Sequence, residues 1–298
     1  MSGKVTELFL ELLRSGLWQT IPKTSCLVLS QQEWRNLWLI ARKQTVQGLV
    51  YYGTNLLPQE QLPPIMTLAS WMVEIEKISQ DNSKIQDVIS EQAVWWDQNN
   101  IQAVLMKGQT VADLYPDPSL RISGDIDWYF PNEEDWNRSL IIAKSYNVNP
   151  ELDSDGDYHY LYRRVVIEHH KSASELSSSQ NLKHLKEVES FDSWRDVSQL
   201  SPLNNLLLLN THILKHAMVS GIGLRQFCDI SMAYKFYFCD GRNKELAALY
   251  FSELSRLGLL KWTFLLHSFL EEHLGLPNKL LPFPTMTTFS LLLIDTES

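Results

Sequence analysis

An α+β fold, with helical segments at both ends and a short run of strands between them, is the class that the sequence predicts. Three observations carry this. Apolar residues recur at helical spacing through the first hundred positions. Between Ile101 and His170 the texture changes to short β-branched and aromatic runs. From Pro202 onward strong helical periodicity returns. The 298 residues suit one large domain or two ordinary ones. A 44% apolar and 20% charged composition is that of a globular protein that buries a core.

Residues 4–18 place Val5, Leu8, Phe9, Leu12 and Leu13 on one helical face. Ser30 is a candidate N-cap for a second helix carrying Trp34, Leu37, Trp38 and Ala41. Pro58, Pro63 and Pro64 interrupt the pattern. A long helix is then expected over 65–99, with the stripe Leu68, Trp71, Ile75, Ile78, Ile85 and Ile89. Trp95 and Trp96 read as helix packing rather than as a platform for a base. IQAVLM reads as a buried strand, and Lys107 to Leu114 as a helix stopped by Pro116 and Pro118. Gly124 precedes the strand DIDWYF. A helix over 133–145 follows, then an acidic turn-rich loop and paired strands over 158–162 and 164–170. Residues 172–200 read as a Ser-rich surface connection with a short helix. Four helical segments follow Pro202, and the pattern fades after Leu280. No internal repeat is seen. The expected divisions are a helical subdomain over 1–99, a central core over 100–172, a second helical subdomain over 173–280 and a tail over 281–298.

A formal net charge of -9 argues against broad capture of long nucleic acid. Cys26, Cys228 and Cys239 are too few and scattered for a disulfide framework or a zinc knuckle. Glu7, Glu11 and Arg14 interrupt the first apolar stretch, unlike a secretory signal, and no run is long enough to span a membrane. A reducing cytoplasm is the expected location.

The chemistry concentrates in KGQTVADLYPDPSLRISGDIDWYF, residues 107–130. Alternate residues of a strand share a face, so Asp125 and Asp127 point the same way. Two such carboxylates repel unless a cation neutralises them, and Mg²⁺, with Mn²⁺ as its substitute, prefers oxygen donors. Glu168 in VVIEHH shares its face with Val166 and His170, while His169 faces the other way. If the strands are neighbours, three carboxylates meet. Lys107 and Gly108, where a strand feeds a helix, suit phosphate oxygens, and Arg121 is a candidate triphosphate clamp. The simpler role of Arg121 is a salt bridge holding its loop against the acids. His212 and His216 share a helix face, which is half a metal site with no obvious third ligand. They read as structural or as contacts to an acceptor. Arg225 and Asp229 lie one helical turn apart and read as a surface ion pair or as cleft-rim residues. His159 and His170 are further acceptor-site candidates.

Taken in order, Lys107-Gly108, Leu114-Tyr115 with Asp117-Pro118, Arg121 and Asp125-Ile126-Asp127 resemble the uncharacterised nucleotidyltransferase family of bacteria. So do Tyr158-His159, Glu168 and His170, and the later His212, His216, Leu224-Arg225-Gln226 and Asp229. That family belongs to the DNA polymerase β-like nucleotidyltransferase superfamily. The resemblance implies a small mixed sheet flanked by helices, and Asp125, Asp127 and Glu168 as a catalytic metal triad. Two departures stand out. Lys107-Gly108 replaces the Gly-Ser pair usual in the superfamily, and Glu168 replaces a frequent aspartate.

The resemblance implies Mg²⁺-dependent transfer of a nucleoside monophosphate from an NTP, ATP being one, with release of pyrophosphate. Low overall basicity directs the acceptor towards a small molecule or protein. A non-catalytic nucleotide-sensing module and a phosphotransferase on the same scaffold remain open alternatives.

Overall fold

A computed structural model of the chain describes residues 3–23, 28–153, 156–174, 179–187, 189–219 and 221–284. Cys26 and residues 285–298 of the expected tail lie outside the described residues. Four helices open the chain: α1 (Gly3–Trp18), α2 (Gln31–Lys43), α3 (Gln47–Asn55) and α4 (Ile65–Gln98). Ser30 caps α2 in a reciprocal box: its hydroxyl accepts from the Glu33 amide, and the Glu33 carboxylate accepts from the Ser30 amide at 2.7 Å. Helices α1 and α3 approach closely because glycines stand at their crossing. A Cβ on Gly16 would lie 2.1 Å from the Leu49 carbonyl oxygen, and one on Gly53 would lie 2.1 Å from that of Leu12.

Helix α4 has 34 residues and so runs about 50 Å. Trp71 and Ile75 pack with the terminal helices, whereas Ile85, Val88, Ile89, Trp95 and Trp96 pack behind the sheet. Trp96 meets Trp128 and Phe130 edge-on, and Trp95 stacks on Tyr146.

The central strands and helices are β1 (Val104–Met106), α5 (Gly108–Ala112), β2 (Asp125–Tyr129), α6 (Glu133–Ser145), β3 (Glu151–Leu152), β4 (Tyr158–Tyr162) and β5 (Val165–His170). They are followed by α7 (Ser179–Glu187), β6 (Phe191–Trp194) and β7 (Val197–Leu200). Among the described residues, seven strands form one mixed sheet in the order β3-β4-β5-β2-β1-β7-β6. Pairings β2–β5 and β1–β7 are parallel and the others antiparallel. The molecule is thus α+β. The C-terminal helices α8 (Pro202–Val219), α9 (Leu224–Phe238), α10 (Lys244–Arg256) and α11 (Leu260–Leu274) share one apolar core with α1 to α3. Among the described residues, no helix is long and apolar enough to cross a membrane.

The rear of the sheet carries a continuous buried hydrogen-bond chain. Trp128 Nε1 donates to Gln92 at 2.8 Å, Gln92 donates to the Tyr160 hydroxyl at 3.0 Å, and that hydroxyl meets His169 Nε2 at 3.1 Å. His169 Nδ1 lies 2.9 Å from the Ser139 hydroxyl. Burial pushes the His169 pKa down to about 3, so the ring is neutral.

Three segments differ from expectation. Residues 191–200, expected as surface connection, form the hairpin β6–β7 and extend the sheet. Its turn residues, Arg195 and Asp196, both take positive φ (46° and 65°), as Arg163 and Arg164 do between β4 and β5 (48° and 66°). Such turns usually use Asn-Gly, so this pair gives no sequence signal. Each turn is tied down instead by an ion pair, Arg195 to Asp113 at 2.9 Å and Arg163 to Glu91 at 3.0 Å. The helix expected over 107–114 shortens to α5: Lys107 leaves it with a positive φ, and Leu114 and Tyr115 turn off through hydrogen bonds to Val111 and Ala112. At the end of the described chain, Phe283 packs against Tyr250, Phe264 and His267, so Leu281 and Phe283 join the core.

The crossing of α1 and α3 makes Gly16→Ala destabilising by about 1–3 kcal/mol or more, from overpacking against backbone, as read by urea unfolding. His267 is buried against Tyr234, and burial lowers its pKa from 6.5 to about 3. The folded state thus holds fewer protons than the unfolded chain at intermediate pH. Its stability contribution is complete above pH 6.5 and drains as pH falls from there towards 3. Between pH 6 and 4, His267→Gln should flatten the pH dependence of unfolding free energy by roughly 1.4 kcal/mol per unit.

Candidate active site

Strand alternation divides β2 between two environments. Ile126 and Trp128 go to the rear core, while Asp125 and Asp127 face the front. The parallel register sets Asp127 opposite Glu168 and Asp125 opposite Val166, so the two strands present their acids side by side. Helices α8 and α9 stand across from this face and enclose a cleft of about 790 Å³. Leu208 of α8 closes one end of the front face against Val104, Met106 and Tyr129.

Lys107, Gly108, Arg121, Asp125, Asp127, Glu168, His170, His212, His216, Arg225 and Asp229 all line this cleft. His159 does not. It sits further out on β4, half-exposed, with Nε2 3.9 Å from Glu151 at the sheet edge.

Lys107 joins β1 to α5 with φ 51° and ψ -143°, a backbone region that side chains rarely adopt, and Gly108 follows at φ 47°. This turn brings Lys107 Nζ to 3.8 Å from Asp127 Oδ1. His170 Nε2 lies 2.9 Å from the same oxygen and 3.4 Å from Glu168 Oε2. Its Nδ1 lies 2.8 Å from Asp157 Oδ2. Burial alone would raise the Asp127 pKa, but Lys107 and the His170 hydrogen bond outweigh it and hold it down at about 2. His170 is affected in reverse. Burial disfavours its charge, but hydrogen bonds to Asp127, Asp157 and Glu168 push it up to about 11. Asp125 is raised by burial and then by the charges of Asp127 and Glu168. The front face therefore carries more negative charge than Lys107 and His170 relieve.

Arg121 lines the cleft, but its fork is spent on Asp229. Nε donates to Oδ1 at 2.7 Å and Nη2 to Oδ2 at 2.9 Å. Tyr115 donates its hydroxyl to the same carboxylate at 2.7 Å, and Nη1 of Arg121 donates to Ser123 at 2.9 Å. Asn82 of α4 holds the Arg121 carbonyl at 2.7 Å. Asp229 thus pairs with Arg121 and not with Arg225, the partner that helical spacing suggests. Arg225 instead donates to the Ile122 carbonyl at 2.9 Å. The reason is tertiary. The loop before β2 enters the space between α4 and α9, where its guanidinium needs a buried counter-charge. Gly48 lies beneath this loop, and a Cβ there would meet the Leu120 carbonyl oxygen at 2.0 Å.

His212 and His216 face the cleft from α8 with ring centroids 4.3 Å apart. Among the cleft residues that escaped the sequence reading are Asp157, Lys171 and Lys215. Asp157 was within reach of it. Tyr158 pairs with His169, so one step along the same antiparallel ladder sets Asp157 opposite His170. Lys215 carries no signal beyond its place between His212 and His216 on α8.

The donor chemistry suits a divalent cation. Asp127, Glu168 and His170 each offer one ligand atom, all within 4.8 Å of one another, and Asp125 stands outside this set on the same strand face.

Residues 30–275 match the family described as "Uncharacterised nucleotidyltransferase". The chain belongs to that family. No curated protein matches its sequence. Among solved structures it is similar to the crystal structure of an antigenic nucleotidyltransferase-like protein from Paracoccidioides brasiliensis. That likeness covers 65% of this chain and 93% of the other, at 16% identity and a TM-score of 0.37. Family membership supports nucleotidyl transfer as the general chemistry and a nucleotide as substrate.

Removing one partner of the buried Arg121–Asp229 pair strands a charge. Asp229→Ala should lower stability by about 3–5 kcal/mol in urea unfolding. Adding Arg121→Met should restore much of that loss.

Proposed function

We propose that this chain moves a nucleoside monophosphate from an NTP to a hydroxyl or phosphate on a small-molecule or protein acceptor, releasing pyrophosphate. The observation that carries the reading is the adjacency of Asp127 and Glu168 on parallel strands, with Asp125 one pleat along and Lys107 beside them. Asp125, Asp127 and Glu168 would hold a divalent cation, Mg²⁺ or Mn²⁺ in its place. When bound, such an ion neutralises phosphate charge and lowers the pKa of an attacking hydroxyl. Membership of the DNA polymerase β-like superfamily is part of the same reading.

The chain's own groups divide the remaining work. Lys107 Nζ and the Gly108 amide hold triphosphate oxygens, and Arg121 keeps the loop before β2 in place through Asp229. Arg225, on the facing wall, adds positive charge near Asp125. The acceptor oxygen attacks the α-phosphorus. The bond from that phosphorus to the bridging oxygen breaks, and pyrophosphate leaves with the electron pair. Glu168, the more exposed of the paired acids, takes the acceptor's proton. His170, His212, His216 and Lys215 border the space left for the acceptor, with His159 further out on the sheet. The net charge of -9 disfavours long nucleic acid in that role. Free Cys228 and Cys239 suit a reducing cytoplasm.

The test is pyrophosphate release from a panel of NTPs, with acceptors drawn from molecules that copurify with the protein. Asp125→Asn and Asp127→Asn should each reduce release to background. Lys107→Ala should raise KM for the NTP roughly 10–100-fold, the worth of one charge-assisted hydrogen bond. Unchanged turnover in the Asp125→Asn, Asp127→Asn double variant would sink the mechanism. Label appearing in the acceptor from the γ-phosphate, rather than the α-phosphate, would mark a phosphotransferase. One observation favours a nucleotide sensor: His170 Nε2 already occupies the acid row, 2.9 Å from Asp127 Oδ1, from within the fold. For that reading, calorimetry would show Mg-NTP binding while no acceptor yields product.

A further inference from the structure

His170 is held in a manner that the proposed transfer chemistry does not require. One ring nitrogen, Nε2, points to Asp127 Oδ1 at 2.9 Å and Glu168 Oε2 at 3.4 Å. The other, Nδ1, is fixed 2.8 Å from Asp157 Oδ2. Asp157 is anchored in turn, since its second oxygen accepts the Lys171 amide at 3.2 Å. A ring secured at one nitrogen by an anchored carboxylate, with its other nitrogen aimed at two carboxylate oxygens, has the arrangement of a metal-ligating imidazole. The neighbouring His169 is turned to the rear core by strand alternation, so of the two β5 histidines it is His170 that reaches this point.

We infer that His170 is a nitrogen ligand to the divalent ion of this cleft, and that the site therefore selects a first-row transition ion such as Mn²⁺ over Mg²⁺. The inference rests on the proposed reading only in requiring a divalent ion, and binding that ion releases to solvent the proton that Nε2 shares with Asp127 in its absence. Mg²⁺ takes oxygen donors and sheds water reluctantly, whereas an imidazole adds affinity for transition ions. Asp127 and Glu168 supply the oxygens. Asp157 is a positioning residue, acting through the ring that it orients.

The experiment is pulsed electron paramagnetic resonance of Mn²⁺ bound to the full chain, paired with calorimetry of Mn²⁺ and Mg²⁺. Wild-type protein should show echo modulation from a directly bound ¹⁴N, altered when histidine is labelled with ¹⁵N. His170→Gln should abolish that modulation, and His212→Gln should keep it. Wild type should bind Mn²⁺ about tenfold or more tighter than Mg²⁺, and His170→Gln should erase most of the preference. Asp157→Asn should weaken Mn²⁺ roughly 10–100-fold. Wild-type protein with no nitrogen modulation, or with equal affinity for both ions, overturns the inference without recourse to any variant. Modulation that survives His170→Gln overturns it as well. Nitrogen modulation without pyrophosphate release would support this ligand and sink nucleotidyl transfer. Pyrophosphate release with an ion bound by oxygen alone would do the opposite.

Discussion

The parallel pairing of β2 with β5 is the constraint on which the rest of the molecule depends. Side chains alternate along a strand, so a slip of one residue would turn Asp127 to the rear and Trp128 to the front. Buried without partners, that carboxylate would cost several kcal/mol. The rear polar chain resists such a slip. Trp128, Tyr160 and His169 come from three different strands, and each must face Gln92 or Ser139 for its hydrogen bond to form. The geometry of the cleft is therefore specified from behind, by groups that never touch it.

Charge compensation shapes the front. Asp127 stays ionised at 4% exposure because Lys107, at the end of β1, and His170, on β5, approach it from either side of β2. Asp125 has weaker support and is raised by its acidic neighbours. The strained backbone at Lys107 belongs to this arrangement, since it lies in the turn that sets the ammonium 3.8 Å from Asp127. A second compensated pair, Arg121 with Asp229, ties the loop before β2 to α9 while Asn82 of α4 holds the loop backbone. Sheet, long helix and C-terminal helices thus meet at a single loop.

The glycine crossings serve the same end at longer range. Gly16 and Gly53 let α1 and α3 approach to backbone contact, and Gly48 gives the loop before β2 the space it occupies. The terminal helices share one core, so α1 to α3 brace the wall formed by α8 and α9. The first residues past Leu280 join in, with Phe283 set among Tyr250, Phe264 and His267.

Much of the site was legible in the primary structure because its signals are local. Asp-Ile-Asp on an otherwise aromatic strand, Glu168 and His170 on one face, and His169 on the other all follow from a period of two. The capping box at Ser30 and the stripe of α4 follow from a period of 3.6. Partner choice did not follow. Asp229 takes Arg121, 108 positions away, over Arg225 one turn before it, because burial of the loop decides which guanidinium most needs an anion. The β6–β7 hairpin stayed hidden because ion pairs anchor a turn that has no Asn-Gly. The sequence by itself determined which residues share a face, since that depends on neighbours in the chain. Only the tertiary structure decided which faces meet, since register and buried charge pairing are settled between segments that carry no local record of each other.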